Sequence, residues 1–545
     1  MMMSIGATPR KRMEDVDVPS DVLLNDSTAS ATGAAAQYET RPVSVVGSNP
    51  PEDGMSASAV KPIIRLFFET LERRKIRYCH WKSNIRLDET LRGDEDIDVL
   101  VDPRDAASFR EAMLECGFKL AQSRSGSGHP GVYHALALDE DSAELVHLHA
   151  YHQIVSGDSL VKNYRFPIER RFLDETRLLD GIRVPKAEAE LILFSLRIAL
   201  KHVSPIEILL VNRHYRKVAA ELSWLRDAAD EKAAEALCAS WFPSIEPLLF
   251  RRLLDSLANE GALARRIVLG WQVAWRLRGL RRLNPAASIA SRYWRLLTAV
   301  AGRFFKRQDL VLQTGGAIVT LVGPKATGKS TLAHELATRL GVHLNVSRIH
   351  AGKPPATVVS VAPRLCVPVA RTLLAGERLG EYERPERRQE KRYSLVHVLR
   401  MTLLAYDRKQ LLKKALRSAT AGAIVISDRY PSEDVGAIDS SCFSEEAEAA
   451  TRSPLKRWLM RRERLLYQGL PRPNIVIRLI APMNTAIQRD SRRMKEGGPD
   501  AEAVQRRWVM ENQAAFRGST TVLINTDAPL DETARAVVRA VWSEL

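Results

Sequence analysis

The sequence predicts an α/β protein: a C-terminal parallel sheet with flanking helices around a phosphate loop, preceded by an α+β domain and a helical region. Three observations predict it. From about residue 314, short β-branched apolar runs alternate with helix-patterned segments, as in a parallel sheet with helical crossovers. That stretch carries G-x-x-x-x-G-K-[ST] as Gly323, Gly328, Lys329 and Ser330, between an apolar run at 317–322 and helical spacing at 331–340. From 186 to 308, by contrast, the apolar spacing is helical throughout, as in PKAEAELILFSLRIALKH. A chain of 545 residues is too long for one core, and the divisions fall at 1–58, 59–185, 186–310 and 311–545.

Residues 1–58 are rich in Ser, Ala, Gly, Pro and acidic side chains without sustained periodicity, which predicts a disordered leader. No apolar core follows the early charges, so no signal peptide is expected. Order is expected to begin with AVKPIIRLFFETLERRKI, where Ile63, Ile64, Phe67, Phe68 and Leu71 keep helical spacing. RYCHWKS then reads as a strand and turn, and DIDVLVD as a strand. DAASFREAMLECGF reads as an amphipathic helix closed by Gly117. VYHALAL and AELVHLHAY flank the turn residues DEDS and predict a hairpin.

The chain carries 81 Lys and Arg against 65 Asp and Glu, a formal charge of +16, which favours anionic partners. Within the helical region, 261–308 has no acidic residue but eleven Lys and Arg, interleaved with Trp271, Trp275, Tyr293, Trp294, Phe304 and Phe305. This stretch reads either as a helical domain with a basic outer face or as a surface for peripheral contact with acidic membrane. Nucleic acid is the weaker expectation, and an oligomer is left open. The five scattered cysteines, Cys79, Cys116, Cys238, Cys366 and Cys442, form neither a zinc spacing nor a disulfide framework, so a cytoplasmic setting is expected. No run of about 18 apolar residues predicts a spanning helix.

The phosphate loop has a direct physical reading. Glycines let backbone N–H groups close around phosphate oxygens, and the following helix presents its positive end. Gly323, Pro324, Lys325, Ala326, Thr327, Gly328, Lys329, Ser330 and Thr331 would wrap the phosphates of ATP. Lys329 would reach the β- and γ-phosphates, and the Ser330 hydroxyl would join Mg²⁺. One hundred residues on, GAIVISDRYP is a buried-type strand ending in Asp428, Arg429 and Tyr430. Carboxyl ends of parallel strands are where such sheets bind ligands. Asp428 would manage Mg²⁺ and Arg429 would grip the acceptor or the group in transfer; the plainer alternative is a helix cap and a surface ion pair.

The phosphate loop, DRYP and LPRPNIVIRLIAPMNTAIQRDSRRMKEGG together resemble the thymidylate kinase family over roughly 314–545. The resemblance implies an ATP- and Mg²⁺-dependent phosphoryl transfer to a nucleoside monophosphate. It also implies a cationic lid, for which Arg489, Arg492, Arg493 and Lys495 stand in place, with Arg489 and Arg493 as catalytic candidates. The loop departs from the family by reading Pro324-Lys325-Ala326-Thr327 where an acidic or phenolic residue and a glycine are usual. RIHAGKP, with Arg348 and Lys353, suits an anionic acceptor, so kinase chemistry is better supported than dTMP itself.

RGDEDIDVLVD holds Asp94, Asp96 and Asp98 at strand alternation, so that the three share a face. The stretch is either a solvated charge run or a carboxylate set for a divalent cation. It resembles the nucleotidyltransferase superfamily over about 75–185, which implies Asp96 and Asp98 as metal ligands after a turn at Trp81-Lys82-Ser83-Asn84, where Lys82 replaces the usual glycine. The third carboxylate that the resemblance implies is missing. AELVHLHAY offers His147 and His149 there, with Glu144 on the other face, and these histidines are either structural or part of a mixed metal site.

The expected function is an ATP-dependent phosphotransferase acting on a dTMP-like or other anionic acceptor. The alternative is a nucleotide-binding scaffold or regulator, an inactive pair of the two domain types, in surface polysaccharide synthesis. A third expectation, nucleic-acid processing, rests only on net charge and the carboxylates.

Overall fold

The computed structural model describes residues 60–124, 128–304, 310–324, 327–373, 393–437, 439–482, 485, 489 and 515–545. The expected leader 1–58 lies outside the described residues, as do Lys325, Ala326, Phe305, Arg492, Arg493 and Lys495.

The first sheet is mixed. Its strands are β1 (Tyr78–His80), β2 (Ile97–Val101), β3 (Lys119–Ser123), β4 (Val132–Asp139), β5 (Glu144–Tyr151) and β10 (Leu310–Leu312), in the order β1-β2-β5-β4-β3-β10. Only the β2–β5 pair is parallel. The β4–β5 hairpin forms where DEDS was read as a turn: Asp139 Oδ2 accepts from the Ser142 amide and hydroxyl at 3.0 and 2.8 Å, and Ala143 takes φ 53°. The helix Ala106–Glu115 ends at Gly117 (φ 77°), with Phe118 N donating to Met113 O and Gly117 N to Leu114 O, a Schellman closure.

Strand alternation then decides what each face meets. Val146, Leu148 and Ala150 of β5 pack with Ile64, Phe67, Phe109 and Met113 of the helices Pro62–Arg73 and Ala106–Glu115. Leu145, His147, His149 and Tyr151 face the other way. There Leu145 joins a core that continues into the C-terminal part through Leu332, Leu336 and Leu340 to Trp542, while Tyr151 joins the core of the helical region. Three arginines of the C-terminal part, Arg339, Arg535 and Arg539, hold the carbonyls of Ser142, Asp141 and Glu140 at the hairpin turn.

Between β5 and β10 lie two small hairpins, β6 (Ile154–Ser156) with β7 (Tyr164–Phe166) and β8 (Thr176–Leu179) with β9 (Ile182–Pro185). The region then becomes helical, from Ala187–Lys201 to Pro285–Phe304, as the spacing predicts. Its central helix Ala187–Lys201 buries Leu191, Ile192, Phe194 and Leu196, each contributing about 1.5–3 kcal/mol.

The second sheet is parallel throughout: β11 (Ile318–Val322), β12 (Val346–Ile349), β13 (Ile424–Ser427), β14 (Ile475–Ile480) and β15 (Thr520–Asn525), in the order β12-β13-β11-β14-β15. From β11 the chain crosses to the edge strand β12, returns to β13 between the two, and then passes to β14 and β15 on the other side, so the strand order reverses beside β11. Ligands of open parallel sheets bind at such a reversal, beyond the carboxyl ends of the strands. No helix among the described residues is long and apolar enough to cross a membrane.

Candidate functional sites

At the carboxyl end of β11 the chain turns through Gly323, with φ 139°. A Cβ there would stand 2.4 Å from Leu479 O on neighbouring β14, so the close approach of two strands requires glycine. Gly328, at φ 85°, caps the helix Lys329–Leu340. Buried Thr327 donates its hydroxyl to Pro324 O at 2.8 Å and closes the loop on itself. Lys329 Nζ folds over this loop, donating to the carbonyls of Gly323 (2.6 Å) and Pro324 (2.7 Å). Ser330 and Thr331 are exposed at the start of the helix.

Asp428 follows β13, the neighbour of β11, and the sheet brings it to the loop. Ser330 Oγ donates to Asp428 Oδ2 at 2.8 Å, and His350 Nδ1 meets Asp428 Oδ1. Burial pushes the Asp428 carboxyl up, but the His350 and Ser330 hydrogen bonds outweigh it and hold it below the ordinary carboxylate range. Arg429 points to Asp439, whose other oxygen takes fully buried Arg408 at 3.1 Å. Arg408 in turn donates to Ala351 O at 2.7 Å. RIHAGKP therefore lies beside Asp428 and Arg429, with Arg348 and Lys353 exposed. Gly352 makes room for Arg429: a Cβ would come within 2.7 Å of its Cδ. Arg489 donates to Thr526 O at 2.9 Å, at the end of β15. Its guanidinium is thereby anchored to the sheet edge in this structure.

A second site forms on the first sheet. Asp94 departs from the expected alternation: it sits in the turn before β2, exposed, paired with Arg92 at 3.5 Å. The regular strand starts at Ile97, so the acidic alternation holds only for Asp96 and Asp98. These two are inward groups, with side chains 15% and 11% exposed, which removes the solvated-run reading for them. Lys82 Nζ pairs with Asp98 Oδ1 at 2.9 Å and donates to Tyr151 OH at 3.0 Å. The left-handed Ser83 (φ 59°) makes the turn that delivers Lys82.

Parallel pairing sets His149 directly across from Asp98, at 3.3 Å from Nδ1 to Oδ1. His147 Nδ1 lies 3.1 Å from Asp96 Oδ1. Burial pushes both carboxyls up. For Asp96 the charges and hydrogen bond of His147 and His149 outweigh it, and for Asp98 the Lys82 ammonium and His149 do, leaving both below the usual range. His134 of β4 and His343, just past the helix Lys329–Leu340, complete the cluster. Burial brings these two down to about 2 and about 4, so both are neutral imidazoles at physiological pH. Lys162, over the Tyr151 ring, is brought down to about 7, first by burial and then by Lys82.

Lys162, His343 and Arg408 lie in no segment that the sequence singles out, and His134, Tyr151 and His350 lie within quoted segments but have no role assigned there. Two-residue alternation in YHALAL and AELVHLHAY is the one signal that could have paired His134 with His147. The chain matches no family model, and no curated protein is a significant match to it.

Proposed function

We propose that the C-terminal part is an ATP-dependent phosphotransferase acting on an anionic acceptor, with a nucleoside monophosphate as the first candidate, as its resemblance to thymidylate kinases implies. The observation that carries this reading is the 2.8 Å contact between Ser330 Oγ and Asp428 Oδ2 at the strand-order reversal. A hydroxyl and a carboxylate brought together there are hard oxygen donors of the kind Mg²⁺ takes. Bound at that point, Mg²⁺ would neutralise charge on the β- and γ-phosphates.

The remaining work falls to the chain. The loop amides and the helix start hold the phosphates. Lys329 exchanges its two carbonyl partners for β- and γ-oxygens. An acceptor oxygen attacks the γ-phosphorus, its new P–O bond forming as the bond to the ADP oxygen breaks. Arg429, beside RIHAGKP, holds the acceptor's charge, and His350 fixes the Asp428 carboxylate. The first sheet enters as a binding module rather than a second transferase, because His149 stands across from Asp98 and the Lys82 ammonium already holds that carboxylate.

An acceptor screen with ATP and Mg²⁺ tests the reading, using dTMP, other nucleoside monophosphates and sugar phosphates. The wild type should release ADP in an acceptor-dependent way. Each charge-assisted bond is worth roughly 1.5–3 kcal/mol, so losing the two that Lys329 would make should cost on the order of 10²–10⁴-fold in turnover for Lys329→Ala. Wild-type turnover in that variant, at unchanged thermal stability, would sink the proposal.

One observation favours the scaffold alternative. Trp271, Trp275, Tyr293 and Trp294 are all more than half exposed. The charge of this stretch is less available than its composition suggests. Arg266, Arg282 and Arg295 donate to backbone carbonyls, Arg276 pairs with Glu246 and Arg292 with Asp158. A membrane contact here would rest on aromatic insertion more than on charge.

A further inference from the structure

Two overlapping sets of donors converge in the seam between the first sheet and the phosphate-loop helix. One is His134, His147 and His149; the other is Asp96, His147 and His343, and within each set one ligand atom per residue lies within 4.8 Å of the others. The rings touch: centroids are 4.3 Å apart for His147 and His149, 4.7 Å for His134 and His149, and 5.0 Å for His147 and His343.

We propose that Asp96, His147 and His343 bind a divalent transition-metal ion, zinc being the closest match to the donors, and that this ion ties the first sheet to the helix carrying Lys329 and Ser330. The donor chemistry selects the ion class. Two imidazole nitrogens and one carboxylate suit zinc and its first-row neighbours, whereas Mg²⁺ takes oxygen donors. The carboxylate favours this set over the three strand histidines, because it brings negative charge to the ion. His134 and His149 then become supporting partners. His134 Nδ1 lies 3.1 Å from His147 Nε2, and His149 Nε2 lies 3.6 Å from Asp96 Oδ2, the kind of outer contact that orients ligands.

The site differs from the Mg²⁺ position of the proposed kinase. His343 lies beyond the end of the twelve-residue helix that begins at Lys329. That helix spans about 18 Å, so the ion and the phosphates would occupy opposite ends of it. Because His343 comes from the C-terminal part and the other two donors from the first sheet, the set is complete only when the halves are packed together.

The test uses the full chain, stripped with a chelator and titrated with Zn²⁺ against a chromophoric competitor, and with Co²⁺ followed by visible absorption. One equivalent should bind. His343→Gln and Asp96→Asn should each weaken binding at least 10-fold, while Ser330→Ala leaves it unchanged. Circular dichroism checks that each variant folds. If His343→Gln fails to fold, His343→Cys supplies a thiolate in its place and should add a sulfur-to-cobalt band in the near ultraviolet. Absence of stoichiometric Zn²⁺ in the wild type overturns the proposal. So does binding that His343→Gln leaves intact, which would put the ion on the three strand histidines.

Discussion

Replacing Glu190 by glutamine should change how the protein's local stability depends on pH. Glu190 sits buried on the helix Ala187–Lys201 and accepts from Asn84 N at 3.1 Å and Asn84 Nδ2 at 2.8 Å. It thus clamps the turn that presents Lys82 to Asp98. Burial pushes its carboxyl up to about 7 from an ordinary 4.5, against the pull of the Asn84 hydrogen bonds. An acid with a raised pKa binds its proton more tightly when folded. Its contribution is therefore intact below about pH 4.5, falls away as pH rises towards 7, and is lost above it. At 1.36 kcal/mol per pH unit, that interval costs the native state about 3 kcal/mol. Glutamine does not titrate, and like the neutral acid it offers one full carbonyl acceptor to Asn84. The variant should therefore stay within about 1 kcal/mol of the wild type at pH 5 and be the more stable at pH 8, so that the two curves separate as pH rises through 7. Hydrogen exchange of residues 82–91, corrected for intrinsic rate, reads this directly, since the Asn84 amide donates to Glu190. Parallel pH profiles for wild type and variant would refute the reasoning.

Two further outcomes follow from particular contacts. Gly323→Ala puts a methyl 2.4 Å from a backbone carbonyl of β14, so it should cost about 1–3 kcal/mol and weaken ATP binding more than 10-fold, measured by thermal melting and calorimetric titration. Trp275→Ser combined with Trp294→Ser should lower co-sedimentation with phosphatidylserine vesicles at least 10-fold, with only a weak response to salt. Binding that ignores both substitutions and vanishes in high salt would return the interaction to charge.

How much of this was legible in the sequence depends on how local the signal was. The strand and helix that flank Gly323–Lys329, the strand that ends before Asp428 and the β4–β5 hairpin each follow from spacing within a dozen residues, and the structure forms these elements. The sequence reading of the acidic stretch let Asp94 share a face with Asp96 and Asp98, and that failed because Gly93 and Asp94 belong to the turn rather than the strand. The partners of those carboxylates are not legible in the stretch either. His147 and His149 of β5 and Lys82 of the turn after β1 compensate them, and the parallel register that sets His149 across from Asp98 has no trace in either strand alone. His343 is invisible for the same reason, since only packing brings it to a strand some two hundred residues earlier. In the basic stretch 261–308, composition does not reveal that Arg266, Arg282 and Arg295 donate to carbonyls and that Arg276 and Arg292 pair with Glu246 and Asp158.

Strand β10 has a consequence for synthesis. It completes the first sheet by pairing with β3, yet the ribosome makes it roughly 190 residues later. At 5–20 residues per second, the edge of β3 waits about 10–40 s for its partner while the helical region emerges. Through that interval the nascent chain carries an unfinished sheet edge, open to pairing with another chain. Premature termination anywhere before Leu310 would make that exposure permanent.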